Sequence, residues 1–262
     1  MRRITNVRLP SPLNDSLKEE RWWILLDDHA RILGVNSMDY GSSIEGEDWQ
    51  GDWISPMALD LQINGGLGLA FDQLTHAELP MLLELMDVLW RDGVEAICPT
   101  IVSCGVDCLR EGLHVFREAR KHRAEKRCVL LGAHLEGPFL APQRRGAHSF
   151  DQICKPSLKA LEERISGFEE EISLVTLAPE LSGSKDVIKY LKNLGVVVCL
   201  GHSNADAEAA FQAFNQGVSM LTHSFNAMPG FFHRDPGPVA AACAHREVAL
   251  GLIADGVHID PL

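Results

Sequence analysis

The sequence predicts an α/β fold built on a parallel β-sheet, and two observations carry this prediction. From about residue 56 onward, short apolar runs alternate with longer segments of helical periodicity. Repeated strand-then-helix order places successive strands side by side in parallel. The chain has 262 residues, 46% hydrophobic and 23% charged, which is an ordinary globular composition and enough length to bury a core.

The predicted strands are apolar runs that end in polar residues or turns. They comprise residues 57–64, 94–100, 128–136, 172–179, 196–202, 219–225 and 248–256. Predicted helices lie between them, among them 77–93, 157–170, 185–195 and 205–217. About seven strands in one series leave two architectures, an open doubly wound sheet or a (β/α)₈ barrel, which needs one strand more. The first strand is not followed by GxGxxG, which disfavours a dinucleotide-binding fold.

The first 55 residues differ in character from the rest of the chain. The segments RWWILLDDHARILGV and GSSIEGEDWQGDW are typical of short strands and turns and have no helical period. Residues 1–55 are therefore predicted to form a small β-rich domain, and residues 56–262 a β/α domain. No internal repeat indicates a solenoid.

Charge and composition exclude several functional classes. The formal net charge of −12 argues against a nucleic-acid surface, which needs clustered Lys and Arg. The apolar runs are too short to span a membrane, and the N-terminus contains no readable signal peptide, so we expect a cytoplasmic location. The 7 cysteines include no CxxC pair and are expected to be reduced thiols, most of them buried.

Three predicted strands end on a side chain that can bind a metal: Glu136, His202 and His223. In a (β/α)₈ barrel the carboxyl ends of the strands build the active site, so these residues would converge. Two neutral imidazoles and one carboxylate are a ligand set for catalytic zinc. Each residue alone is more often explained by a hydrogen bond or a helix cap.

Three polar neighbours of these ligands have other expected roles. His134 lies two residues before Glu136 on the same strand face, and we expect a hydrogen-bonded pocket wall, not a fourth ligand. Ser203 and Asn204 precede a predicted helix and suit N-capping.

The motifs HLEGPFL, GHSNA, THSFNAMPG and IADGVH, in this order and spacing, resemble the N-acetylglucosamine-6-phosphate deacetylases of the amidohydrolase superfamily. The resemblance runs from about residue 55 to 262. It implies a (β/α)₈ TIM-type barrel, incomplete at the C-terminus, with a small β-sandwich to which residues 1–55 contribute. It also implies removal of the acetyl group from a phosphorylated N-acetyl amino sugar.

The resemblance assigns roles to individual residues. The family's metal ligands fall on Glu136, His202 and His223, and His148 would polarise the acetamide carbonyl. Arg234 and His258 would supply positive charge for the phosphate, although a solvated loop is the ordinary place for an arginine. Part of that phosphate site comes from the neighbouring subunit in the family, which implies a homodimer. The family's substrate contacts fall on Ala147, His148, Asn226, Ala227, Arg234, Asp255, Gly256, Val257 and His258.

The first strand departs from many amidohydrolases, which carry His-x-His where this chain has Gln62 and Asn64. Amides are poor zinc ligands, so we expect one divalent metal ion with these two residues beside it. Zinc is the first choice, and iron(II), cobalt(II) or manganese(II) suit the same ligands.

The family's general acid and base is an aspartate at the end of the eighth strand, which we expect beyond Leu262. Asp255 and Asp260 are poor substitutes, so little deacetylase activity is predicted for the 262-residue chain alone. Two other hypotheses remain. One is a non-catalytic sugar-phosphate-binding fragment or pseudoenzyme, and the other is an iron(II) oxygenase, which also uses two histidines and a carboxylate.

Overall fold

The computed structural model describes residues 1–10, 20–39 and 44–260. Within it the chain divides into two compact units, Met1–Met57 and Ala58–Leu262. Residues 41–43 of the predicted turn segment and the last two residues of the predicted β/α domain lie outside the described residues.

The N-terminal unit contains a four-stranded sheet. Its strands are β1 (Arg2–Val7), β2 (Arg21–Leu26), β3 (Ile32–Met38) and β4 (Glu47–Asp48). They lie in the order β3-β2-β1-β4, with β1 and β3 antiparallel to β2, and β4 parallel to β1. One face carries a small apolar cluster of Ile4, Val7, Ile24 and Leu26. The alternation along β2 explains this, because residues two apart lie on one face of a strand.

The second unit alternates strands with helices, as the periodicity predicts. Its strands are β5 (Ala58–Ile63), β6 (Gly65–Gly66), β7 (Leu69–Ala70), β8 (Val94–Val102), β9 (Val129–Leu130), β10 (Ala133–Glu136), β11 (Ile172–Leu177), β12 (Val197–Leu200), β13 (Val218–Leu221) and β14 (Ala249–Leu250). Its helices are α1 (Leu79–Arg91), α2 (Val106–Ala119), α3 (Leu158–Ile165), α4 (Ser184–Asn193), α5 (Ala207–Gln216) and α6 (Gly237–His245).

The main sheet of this unit is parallel, and its strands follow chain order. Its path is β5-β8-β10-β11-β12-β13-β14, with β9 as a further partner of β8. The curled sheet of seven strands is consistent with an incomplete (β/α)₈ barrel. An open doubly wound sheet would reverse its strand order at a switch point, and this sheet does not.

The predicted strand 128–136 is divided into β9 and β10. Gly132 lies between them with φ of 147°, in a region that glycine adopts without steric cost. A Cβ at this position would lie 2.2 Å from Ser173 Oγ, so the close approach also requires glycine. The break lets both short strands pair with β8.

Apolar faces of the helices pack on the sheet and form the main core. In α1, for example, the buried residues are Leu82, Leu85 and Met86, which share one face because they are three or four positions apart. Inside the curl of the sheet, Cys98, Leu174 and Cys199 form a separate small cluster. None of the helices in the described part of the chain is both long and apolar enough to cross a membrane.

Two local predictions differ from the structure. The strand expected at 248–256 is limited to Ala249–Leu250, whose strand partner among the described residues is β13. The cap of α5 is Asp206, whose carboxylate accepts from Ala209 N, so the capping prediction for Ser203 and Asn204 is wrong. Those two residues instead bind Glu180, through Ser203 Oγ and Asn204 N.

Candidate metal centre

Three side chains from different strand ends meet in the interior of the second unit. Glu136 is the last residue of β10, and His202 and His223 each follow a strand by two residues. Only 3%, 6% and 8% of their respective surfaces are exposed. Glu136 Oε1 lies 3.2 Å from His202 Nε2 and 3.0 Å from His223 Nε2, and the two imidazole nitrogens are 3.0 Å apart.

This triangle has nearly the size that a tetrahedral zinc site requires. Ligand atoms about 2.0 to 2.2 Å from the metal lie about 3.3 to 3.6 Å from each other. The observed separations of 3.0 to 3.2 Å need only a small expansion to admit an ion. The three donors therefore fit a single divalent metal.

The hydrogen bonding of His202 directs its Nε2 toward the centre. Its Nδ1 lies 2.7 Å from the carbonyl oxygen of Arg144, which can only accept, so Nδ1 carries a proton. Nε2 is therefore the nitrogen whose lone pair would bind a metal ion. An outer carbonyl that orients an imidazole in this way is a regular feature of metal-binding histidines.

Both histidines have strained backbones. The φ angles of His202 and His223 are 49° and 33°, in the left-handed region that costs a non-glycine residue about 1–3 kcal/mol. Such conformations persist only where surrounding contacts hold them. Here Ala227 O accepts from Ser203 N at 3.1 Å and joins the loops that follow β12 and β13. The Nδ1 of His223 is buried and has no hydrogen-bond partner among the described residues.

Glu136 is held on both sides. Gln62 Nε2 donates to Oε1 over 2.8 Å, and His148 Nε2 lies 3.6 Å from Oε2. Burial raises the pKa of Glu136, but the imidazoles of His148, His202 and His223 lower it by more, so the pKa lies below its ordinary value. The carboxylate is therefore ionised and suited to a cation.

His148 is a fourth member of this buried group. Single ligand atoms of Glu136, His148 and His202 lie within 4.8 Å of one another and could hold a metal ion. His148 Nδ1, however, accepts from the backbone N–H of Ser103 at 3.2 Å. This bond distinguishes His148 from His202: both rings face the centre through Nε2, but Nδ1 of His148 accepts a hydrogen bond, whereas Nδ1 of His202 donates one.

His134 is fully engaged by protein atoms. Its Nδ1 lies 3.0 Å from Leu61 O and its Nε2 lies 2.7 Å from Thr176 Oγ1, which in turn lies 2.6 Å from Thr222 Oγ1. Burial lowers the pKa of His134 below its ordinary value. Neither ring nitrogen is free for a metal, in keeping with a role in the pocket wall.

The substrate contacts expected from the resemblance lie mostly in loops. Arg234 is exposed, and Asn226 donates its backbone N–H to His223 O at 3.0 Å. Asp255 accepts from the backbone N–H groups of Val257 and His258 and from the imidazole of His258, and these bonds lower the pKa of Asp255 to about 2. The structure brings together Gln62, Glu136, His148, His202 and His223, and it leaves Ala147, Arg234 and 255–258 exposed.

Two residues that hold the centre, Ser103 and Arg144, were not predicted from the sequence. Ser103 follows Val102, the end of β8, but the predicted strand ended at Thr100. A strand two residues longer would have made Ser103 a strand-end polar residue like the others. Arg144 acts through its backbone carbonyl, for which the sequence carries no signal.

A cleft of about 940 Å³ opens beside the centre, between β5 and β14. Gln62, Asn64, His134, His223 and Asp255 are among the residues that line it. A ligand in this cleft would therefore reach His223.

A parallel β/α sheet that gathers a carboxylate and histidines at the carboxyl ends of its strands defines the class of metal-dependent hydrolases built on (β/α) barrels. No family model matches the chain. N-acetylglucosamine-6-phosphate deacetylase of Bos taurus is 36% identical over 226 residues, 83% of this chain and 54% of the relative.

Solved structures agree with this relationship. The N-acetyl-D-glucosamine-6-phosphate deacetylase of Mycobacterium smegmatis matches all of this chain and 66% of its own, with a TM-score of 0.78 and 25% identity. A variant of that enzyme in complex with N-acetyl-D-glucosamine-6-phosphate gives a TM-score of 0.77 at 25% identity, over 98% of this chain and 64% of its own.

The chain is thus a homologue of the N-acetylglucosamine-6-phosphate deacetylases and corresponds to part of their length. It spans about half the length of the bovine relative.

Proposed function

We propose that this chain carries the metal centre and part of the substrate pocket of a deacetylase that hydrolyses the acetamide of N-acetyl-D-glucosamine 6-phosphate. One observation carries the proposal: a buried carboxylate and two imidazoles converge at separations of 3.0 to 3.2 Å. The names of the relatives and of the complex supply the substrate class.

Glu136, His202 and His223 would hold one divalent ion, zinc first, with iron(II), cobalt(II) or manganese(II) suited to the same donors. A bound ion of this kind lowers the pKa of a water molecule and makes it a nucleophile at neutral pH. Gln62 keeps Glu136 Oε1 directed inward, and the Arg144 carbonyl keeps the proton of His202 on Nδ1. His148 would bind and orient the acetamide oxygen.

Deacetylation also needs a group that moves a proton to the leaving nitrogen. Among the described residues that surround the metal position, Glu136 supplies the carboxylate. As a metal ligand, Glu136 would not be free to transfer this proton. Asp255 is committed to its own loop by bonds from Val257 and His258. We therefore infer that the acid and base belongs to the part of the relatives that this chain does not span.

The remaining substrate contacts are proposals of the same kind. Arg234 and His258 would bind the phosphate, and Asn226, Ala227 and the 255–258 loop would contact the sugar. A homodimer with a shared phosphate site is proposed from the resemblance, and Arg234 is exposed, as such a site would require. A cytoplasmic location and a small β-sandwich to which residues 1–55 contribute are further parts of this proposal.

A titration of the chain with zinc, measured by calorimetry, tests the proposed metal centre. We expect one zinc ion per chain, abolished in His202→Gln and unchanged in Arg234→Gln, which changes an exposed loop. Zinc binding that survives His202→Gln would contradict the proposed ligand set.

Acetate release from N-acetyl-D-glucosamine 6-phosphate then separates the enzyme from the binding protein. Acetate released by the zinc-loaded chain would support the deacetylase and show that its own residues supply the acid and base. Sugar-phosphate binding without acetate release would favour the non-catalytic alternative for this chain.

A further inference from the structure

The ring of His148 is held from one side by a single residue, Ser103. The backbone N–H of Ser103 donates to His148 Nδ1 over 3.2 Å, and Ser103 Oγ lies 3.0 Å from the same nitrogen. A backbone N–H can only donate, so Nδ1 must present its lone pair. A proton on Nδ1 would face the amide hydrogen directly. In the neutral ring the proton therefore lies on Nε2.

The other side of the ring faces the metal position. His148 Nε2 is 3.6 Å from Glu136 Oε2, which is longer than a hydrogen bond. His148 is only 4% exposed, so its Nε2–H points into a nearly closed site. A buried N–H without a close acceptor is available to a ligand oxygen.

We propose that Ser103 is a positioning residue that fixes His148 as an Nε2–H donor and thereby keeps His148 out of the metal-ligand set. The proposal rests on the function proposed above and extends it to a residue that acts through His148. It also explains why two histidines of one buried cluster differ: Arg144 O places the proton of His202 on Nδ1, whereas Ser103 places that of His148 on Nε2.

The imidazoles of the cluster therefore have two different roles. A metal ligand needs a lone pair on the nitrogen that faces the ion, and His148 presents a hydrogen there. His148 is therefore suited to bind an oxygen that carries or develops negative charge, such as that of an acetamide carbonyl.

The packing around Ser103 leaves little room for another arrangement. Its hydroxyl donates to the carbonyl oxygen of Glu136 over 3.3 Å. Gly137 follows Glu136 in the chain, and a Cβ at Gly137 would lie 2.2 Å from Ser103 Oγ. Position 137 must therefore be glycine for Ser103 to stay in place. Ser103 thus joins the end of β8 to the ligand-bearing end of β10.

The tautomer can be measured directly by long-range ¹H–¹⁵N correlation spectra of histidine-labelled protein, without substrate. His148→Gln identifies the resonances of His148. We expect a pyridine-type Nδ1 and a pyrrole-type Nε2, both before and after zinc is added. A pyrrole-type Nδ1, or loss of the Nε2 proton upon zinc binding, would overturn the proposal.

The contribution of the Ser103 side chain is tested by Ser103→Ala, with Ser103→Thr as the matched control that keeps the hydroxyl. The hydroxyl donates its single hydrogen to Glu136 O, so the backbone N–H is the donor to Nδ1, and both variants keep it. We therefore expect wild type, Ser103→Ala and Ser103→Thr all to retain a pyridine-type Nδ1. A pyrrole-type Nδ1 in Ser103→Ala would assign the effect to the side chain and overturn the role of the backbone N–H.

A second pair of variants, His148→Gln and His148→Asn, tests the donor role of His148 Nε2 separately from the proposed function. Glutamine reaches the position of Nε2 and can donate there, whereas asparagine reaches only the position of Nδ1. His148→Gln should therefore bind N-acetyl-D-glucosamine 6-phosphate at least about tenfold more tightly than His148→Asn. Equal affinities would contradict the donor role of Nε2. Absence of sugar-phosphate binding in wild type would reject the proposed function and leave the spectroscopic test of Ser103 standing.

Discussion

The candidate metal centre and the loops expected to bind the sugar phosphate are held in opposite ways. Side chains of the centre are buried at the ends of parallel strands and are fixed by partners distant in sequence, such as Gln62 for Glu136. The loop at 255–258 is exposed and is fixed by bonds within itself, from Val257 and His258 to Asp255. The centre is therefore preorganised before a ligand arrives, and the loop is shaped locally.

The sharpest test of this difference is Glu136→Gln. Glutamine keeps the shape of the side chain but removes the negative charge that faces His202 and His223. We expect zinc affinity to fall by at least about 100-fold. Calorimetric titration gives the affinity, and Asp255→Asn in the loop serves as the control that retains it. A Glu136→Gln variant with wild-type affinity would mean that the cluster is not the metal site.

A smaller loss of zinc affinity is expected for Gln62→Ala. The variant removes the 2.8 Å hydrogen bond to Glu136 Oε1 but leaves all three proposed ligands in place. Loss of an orienting partner of this kind typically weakens metal binding by about 10- to 100-fold. The same calorimetric titration measures this loss of zinc affinity. A loss as large as that of Glu136→Gln would mean that Gln62 is itself a metal ligand.

Arg234→Ala should leave the centre untouched. Because Arg234 is exposed, we expect a zinc affinity within about twofold of wild type and a free energy of unfolding within about 0.5 kcal/mol. Binding of N-acetyl-D-glucosamine 6-phosphate should weaken by about tenfold, the effect of losing a charged hydrogen-bond donor. Denaturant unfolding and ligand titration measure these two quantities. Unchanged sugar-phosphate binding would remove Arg234 from the proposed phosphate site.

The smallest effect concerns the titration of Asp255. Its pKa is lowered from 3.8 to about 2 by bonds from the backbone of His258 and Val257 and from the His258 side chain. A carboxyl group whose folded pKa is depressed stabilises its loop above the unfolded pKa, and this is lost as the pH falls toward 2. The carboxyl carbon resonance of Asp255 should titrate with a midpoint near 2. In His258→Ala the midpoint should rise, yet stay below 3.8, because the bonds from the backbone N–H groups of residues 257 and 258 remain.

Much of the fold follows from periodicity. Predicted strands agree with β5, β8, β11, β12 and β13 to within a few residues, because buried parallel strands are continuous apolar runs. The last predicted strand is longer than β14, since apolar composition cannot show where a pairing partner ends. The cap of α5 was misplaced because Ser203 and Asn204 bind Glu180, 23 and 24 residues away in sequence.

The sequence by itself determined which side chains stand at the strand ends. Glu136 and His202 end predicted strands, His223 ends the apolar run within the predicted strand 219–225, and the carboxyl ends of parallel strands in one sheet share an edge. Only the tertiary structure decided what each imidazole presents to the centre. Ser103 binds His148 across 45 residues, and Arg144 binds His202 across 58 residues. The position of a proton on a ring depends on such distant partners, which the local sequence pattern does not encode.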